Sequence, residues 1–138
     1  MKTALWLQEN GTLAYTTFVV DQAESDILEK HNSGDFYPSF VFLGGDIPWP
    51  DNKWSHESHR WNGSEIYVDY DLAVEETKAR LRREREPLFF ALDIQFQRNI
   101  ETGTDTSAIV LEKNRLRNIT SFADTLSLNE LQELSCAA

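Results

Sequence analysis

From Asp71 to Glu101 the chain is a run of helix-forming residues broken once, by Pro87, and an element of that length dictates how much of a 138-residue protein can fold. Thirty residues at 1.5 Å each make a helix of about 45 Å. Asp71 is placed to cap it, and Glu75 and Glu76 fall in the early turns, where the helix dipole favours acids. Lys78, Arg80, Arg82, Arg83 and Arg85 come later. Pro87 has no N–H for the carbonyl of Arg83, which predicts a kink or a two-helix break near residues 83–87. Beyond it Phe89, Leu92, Phe96 and Ile100 recur at three- and four-residue steps as one apolar stripe. Gly103 ends the helix, and Thr104 or Asp105 caps a second one carrying Ile109, Glu112, Leu116 and Ile119, which a short turn folds back on the first. Ser127-Leu128-Asn129-Glu130 is a capping box that opens a third helix, with Leu126 and Leu131 as its hydrophobic staple and Leu128, Leu131 and Leu134 as its apolar face. Residues 71–138 are therefore predicted to form a helical module: a kinked helix 71–102, a helix 105–119 and a helix 128–135.

Residues 1–70 have a different grammar. Ala4–Gln8 and Leu13–Val20 flank Glu9-Asn10-Gly11, a hairpin signal because Asn and Gly tolerate positive φ. Asp26–Glu29 has room for one helical turn before His31-Asn32-Ser33-Gly34-Asp35, and Phe36–Leu43 reads as a strand that starts after Pro38 or lies at an edge. Residues 44–60 mix Gly, Pro, Asp and Asn with Trp49 and Trp54, a long loop pinned by its rings. Trp61-Asn62-Gly63-Ser64 then joins His59-Arg60 to Glu65-Ile66-Tyr67-Val68-Asp69 as a second hairpin. The fold class is α+β: a small N-terminal β-rich module, 1–70, with a long aromatic loop, followed by a C-terminal helical hairpin and a short third helix.

Charge narrows the partners. The net charge is −10, with 11 acids and 4 bases in residues 1–70 and 12 acids and 9 bases in 71–138. That balance disfavours nucleic-acid binding, which relies on Lys and Arg to neutralise phosphates. The longest uncharged apolar run, Phe40–Gly45, is far below the roughly 20 residues that span a bilayer, and no signal-peptide core follows Met1-Lys2-Thr3. The expectation is a protein made and folded in cytoplasm, without a membrane partner. One cysteine, Cys136, allows no intrachain disulfide.

The candidate chemistries are weak beside their structural alternatives. His56 and His59, three apart with Asp51 nearby, would need His31 or another distant ligand to hold a metal, so they read as loop histidines and no metal or cofactor is expected. Asp93 with Glu101, or Glu75 with Glu76, read as helical surface charge before they read as an acid–base pair. No nucleophile motif or phosphate-cradling glycine loop is present, so no catalytic residue is assigned and no enzyme is expected. The better candidates are partner-binding: Trp49, Trp54 and Trp61, with Phe36 and Tyr37, as an aromatic surface, and Arg80, Arg82, Arg83, Phe89 and Phe90 on the long helix.

Several ordered stretches share one resemblance: Glu65-Ile66-Tyr67-Val68-Asp69, Lys78–Leu88, Ala91–Arg98, Glu101-Thr102-Gly103, Glu112–Thr120 and Leu128-Asn129-Glu130-Leu131. Residues of about 65–134 resemble a C-terminal module of bacteriophage tail-fibre-associated and tail assembly chaperone proteins. Phe89-Phe90 departs from that pattern, where smaller aliphatics are usual, as does Thr104-Asp105-Thr106. The resemblance implies a non-enzymatic tail component that binds the tail fibre or baseplate, as a virion structural protein or as a fibre assembly chaperone. It implies a place in the host cytoplasm during assembly and then in the virion tail, with a homo-oligomer in a symmetric assembly as one arrangement. The rival expectation from composition is an acidic, phage-encoded inhibitor that mimics DNA before a host nucleic-acid-binding complex.

Overall fold

The computed structural model describes residues 2–18, 24–35, 38–50 and 53–137. Val19, Val20, Phe36, Tyr37 and Asp51, all used in the expectations above, lie outside them. The architecture is α+β and divides after Asp69 into two units, Met1–Asp69 and Tyr70–Ala138.

In the first unit β1 (Lys2–Leu7) and β2 (Leu13–Phe18) form the predicted antiparallel hairpin, in register from Lys2 opposite Phe18 to Leu7 opposite Leu13. The turn differs in detail from the simple Asn-Gly form. Only Gly11 takes a positive φ, of 82°, while Asn10 turns its side-chain oxygen onto the Thr12 N–H at 3.0 Å, so the loop is longer than two residues. β3 (Val41–Gly45) pairs antiparallel with the other edge of β1, giving the order β2-β1-β3. It begins later than the aromatic run suggested.

Strand alternation sorts the side chains of this sheet into two cores. Ala4 and Trp6 face one way, against Ile27 of α1 (Glu24–Asn32), with Ala14, Phe40 and Phe42 around them. Leu5 and Leu13 face the other way, against Ile66, with Leu7, Leu43, Ile47, Trp49 and Trp61. Ile66 belongs to the second hairpin, β4 (His59–Trp61) and β5 (Ile66–Val68), whose turn is held by Asn62 Oδ1 accepting from the N–H groups of Ser64 and Glu65 at 2.9 Å each. A three-stranded sheet is thus covered on one face by a helix and on the other by a hairpin and its loop. α1 is nine residues rather than one turn because Ile27 anchors it to the sheet.

The second unit is built on α2 (Tyr70–Thr102), 33 residues long and continuous through Pro87. The expected two-helix break is absent. Pro87 and Arg83 are both exposed, so the carbonyl that proline leaves unbonded is on the solvent side and the helix continues. Because the helix starts at Tyr70, Asp71 sits in the first turn instead of capping it. Gly103, at φ 69°, turns the chain into α3 (Ser107–Asn118). There the capping position is Thr106, and Asp105 does the work from one residue earlier, its Oδ1 accepting from Ser107 N at 3.1 Å and Ser107 Oγ at 2.7 Å. α3 ends at Asn118 and a 3-10 segment, Ile119–Thr125, continues it, tucking Ile119 and Ala123 inside. α4 (Leu128–Glu133) opens with the predicted Ser127–Glu130 capping box and is shorter than the expected 128–135.

The core of this unit is Leu81, Leu116, Ile119 and Cys136, with Phe89, Leu92 and Leu134 packed against it. It lies toward the start of α2. No helix among the described residues is long and apolar enough to cross a membrane.

Candidate functional site

The five cations between Lys78 and Arg85 are not presented as one face. Lys78 bonds Asp124 at 2.7 Å, and that bond holds the ammonium above its ordinary pKa. Arg80 reaches the Glu84 carboxylate at 2.8 Å and the Leu131 carbonyl at 3.0 Å, tying α4 to α2. Arg85 donates to the carbonyls of Leu116 and Arg117 at 3.2 and 3.3 Å, so it satisfies the end of α3. Arg80, one of the partner-binding candidates, is thereby engaged within the fold, whereas Arg82 and Arg83 are exposed.

The carboxylates beside these cations are structural too. Desolvation, the largest single influence, pushes Glu84 up, but the Cys136 N–H and Arg80 together outweigh it and hold the carboxyl below its usual range. Glu112 is lowered by the two-pronged grip of Arg115, whose guanidinium also reaches the Cys136 carbonyl at 2.8 Å. Asp93 pairs with Lys113, and Glu101 accepts from Gln97. Burial pushes the Cys136 thiol up, and its Sγ points at the Leu81 carbonyl 3.4 Å away, the setting of a protonated core cysteine.

In the first unit the aromatic loop folds onto the sheet. Trp49 and Trp61 are half-buried against Leu5, Leu13 and Ile66, and Trp54 is half-buried as well. Trp49 also meets Tyr15 at 5.9 Å between ring centres, His56 at 4.5 Å and His59 at 5.3 Å. Tyr15 stands at the exposed rim of this cluster. His56 and His59 are neighbours, with ring centres 5.4 Å apart, while His31 packs on Trp6 at the opposite face of the sheet. No three His, Cys, Asp or Glu side chains converge as metal ligands would among the described residues.

The unusual surface is on the distal part of the helical unit. After Leu81 no residue of α2 is buried. Three members of the apolar stripe read from sequence turn toward α3, and the fourth, Ile100, does not: Phe89, Leu92 and Phe96 are half-buried, with Lys113 over the Phe96 ring at 5.0 Å and Arg85 and Arg117 over Phe89 at 5.8 and 5.9 Å. Phe89 is therefore an internal contact. Leu88, Phe90, Ile94 and Ile100 of α2 remain exposed, as do Val110 and Leu111 of α3, Phe90 and Leu111 each at 70%. Phe90 and Ile94 are each two residues from Leu92, about 200° around the helix, so they face away from α3. With Asp93, Gln97 and Arg98 they line an open, largely apolar groove of about 400 Å³.

Of the candidates, then, Phe90 with Arg82 and Arg83 is available on α2, and Arg80 and Phe89 are spent on packing. The sequence reading does not single out Ile94, Val110 or Leu111, and it places Ile100 on the internal stripe. Ile94 could have been, since it continues the spacing of Phe90 on the face opposite Leu92. Comparison with protein-family models, with curated proteins and with solved structures finds no match to this chain.

Proposed function

We propose that the chain is a non-enzymatic bacteriophage tail component that docks on a tail-fibre or baseplate protein, as a virion structural protein or a fibre assembly chaperone. The tail setting rests on the resemblance of residues 65–134. The docking mode rests on one observation: the distal α2–α3 hairpin buries no residue of α2 yet leaves six large apolar side chains exposed on several faces. Isolated exposed apolar residues are ordinary, but a two-helix arm with apolar groups on more than its mutual face has surface left for a partner. The polar groups beside it suit a rim: Lys113, Asp93 and Arg115 are already satisfied within the chain and need no rearrangement when apolar surface is covered.

The DNA-mimic alternative is less well supported. Glu84, Asp93, Glu112 and Asp124 are each held by a base of the same chain, which offsets the charge such a mimic would have to present.

The test is co-expression with a bacteriophage tail-fibre protein, followed by affinity purification. Co-elution is expected, and Leu111→Glu should weaken it at least tenfold. Burying a leucine contributes about 1.5–3 kcal/mol, and 1.4 kcal/mol is a factor of ten. No association with fibre or baseplate protein would rule the reading out.

A further inference from the structure

We propose that the outer edge of β2 is a self-association site, which takes β2 of a second copy of this chain antiparallel, Tyr15 opposite Tyr15, and joins the two sheets into one. The hydrogen bond from the Gln8 N–H to the Thr12 carbonyl, at 2.9 Å, sets the alternation of the β1–β2 ladder. Ala14 and Thr16 therefore exchange backbone bonds with Trp6 and Ala4, their partners in register, while the N–H and C=O groups of Leu13, Tyr15 and Thr17 point away from β1. Among the described residues no strand pairs with that edge, since β2 ends the order β2-β1-β3. Backbone groups left in this way are a template for another strand.

The two edges of the sheet are built differently. β3 is irregular where its register on β1 shifts between Leu5 and Trp6, and its Gly45 N–H is taken by Glu24 Oε1 of α1 at 2.9 Å. Both features oppose strand addition. β2 has no proline, charge or register shift between Leu13 and Phe18. Pairing through β2 leaves only the β3 edges outermost, so growth stops at a closed two-fold pair.

A second copy is the occupant because this edge is complementary to itself. An incoming strand must bring free N–H and C=O groups at alternate residues. Pairing centred on Tyr15 sets Leu13 of each copy against Thr17 of the other, so the outward groups of both strands are all bonded, and any shifted register leaves some unmet. No charged side chain stands on either strand, so none is set against its own equivalent. The pairing also covers an exposed ring. Tyr15 is 51% exposed at the rim of its cluster with Trp49 and His56, 5.9 and 5.4 Å away between ring centres. Directly opposite residues of an antiparallel pair bring their Cβ atoms to about 5 Å, so the two Tyr15 rings meet. The contact lies wholly in the first unit and does not depend on the docking proposed for the helical arm. A strand pair buries less than the roughly 800 Å² per partner of a standard interface, so the dimer is expected to dissociate at micromolar concentrations.

Sedimentation velocity from about 1 to 500 µM should take the wild type from monomer to dimer, the range in which small interfaces dissociate. Amide exchange followed by nuclear magnetic resonance at both ends of that range locates the contact. Ala14 and Thr16 should be protected throughout, and Leu13, Tyr15 and Thr17 should slow by about tenfold or more only in the dimer. Thr17→Pro removes an outward N–H and leaves the ladder to β1 intact, so it should stay monomeric with unchanged circular dichroism. Tyr15→Lys and Tyr15→Glu should each be monomeric alone and dimerise when mixed, because only the mixture sets opposite charges against each other at the two-fold position. A wild type that is monomeric throughout overturns the proposal. So does a dimer that Thr17→Pro leaves intact, or one in which Leu13, Tyr15 and Thr17 gain no protection. Failure of the mixed Tyr15 variants to pair overturns the register.

Discussion

Replacing Trp6 with alanine is expected to destabilise the N-terminal unit by about 3–5 kcal/mol, the range for removing a buried aromatic side chain. Trp6 is fully buried between the sheet and α1. Its ring meets Phe42 at 5.0 Å and His31 at 5.2 Å between ring centres, and its Nε1 donates to Thr16 Oγ1 at 3.2 Å. The substitution removes the largest volume in that core and the donor that Thr16 accepts from. The sheet has three strands and α1 only one buried residue, so little else can close the gap. All four tryptophans lie in residues 1–61, so the fluorescence of the remaining three reports this unit directly. Urea unfolding followed by fluorescence should show the loss, and a change below about 1 kcal/mol would mean that Trp6 is not the keystone its burial indicates.

Leu116→Ala is the second large effect. Leu116 is fully buried where α2, α3 and the C-terminal segment meet, beside Leu81, Ile119 and Cys136. The expected cost is about 2–5 kcal/mol, toward the upper end if the cavity stays open. It should stay open, because the surrounding walls are braced: Arg85 bonds the carbonyl of Leu116 itself, and Arg115 and Glu84 both hold the Cys136 backbone. Unfolding followed by far-ultraviolet circular dichroism, dominated by the long helix, reads the change. Leu111→Ala, on the exposed face of the same helix, should leave stability within about 0.5 kcal/mol and serves as the control.

The contrast between Leu116 and Leu111 shows what was legible in the sequence. Features written in adjacent residues came through: both Asn-Gly hairpins, the Ser127–Glu130 capping box and the change of period near residue 70. Each depends on chemistry within a few positions. α1 was underestimated because its stability comes from Ile27 on a distant sheet, and one apolar anchor leaves no periodicity to read. Pro87 suggested a break because sequence does not say which way a residue faces; on the solvent side a lost backbone bond is tolerated. The 3-10 segment Ile119–Thr125 was missed because its two buried residues belong to no long repeat.

The candidate site divided for a similar reason. Lys78–Arg85 is a basic cluster along the chain, yet its members diverge around the helix and find Asp124, Glu84 and carbonyls of Leu131, Leu116 and Arg117, 31 to 51 residues away in most cases. Phe89 and Phe90 are neighbours in sequence. Consecutive helical residues point about 100° apart, so Phe89 joins the hairpin contact while Phe90 stays in solvent. What makes the distal arm distinctive is surface that intramolecular packing leaves over, and that quantity is fixed only once the hairpin is closed.

Hydrogen exchange measured with and without a tail-fibre protein tests the proposed docking surface most directly, because it locates the contact as well as detecting it. The expected result is slowed exchange across residues 88–111 in the complex. Unchanged exchange there, or protection confined to the aromatic loop 44–61, would contradict the assignment of the helical arm as the binding element.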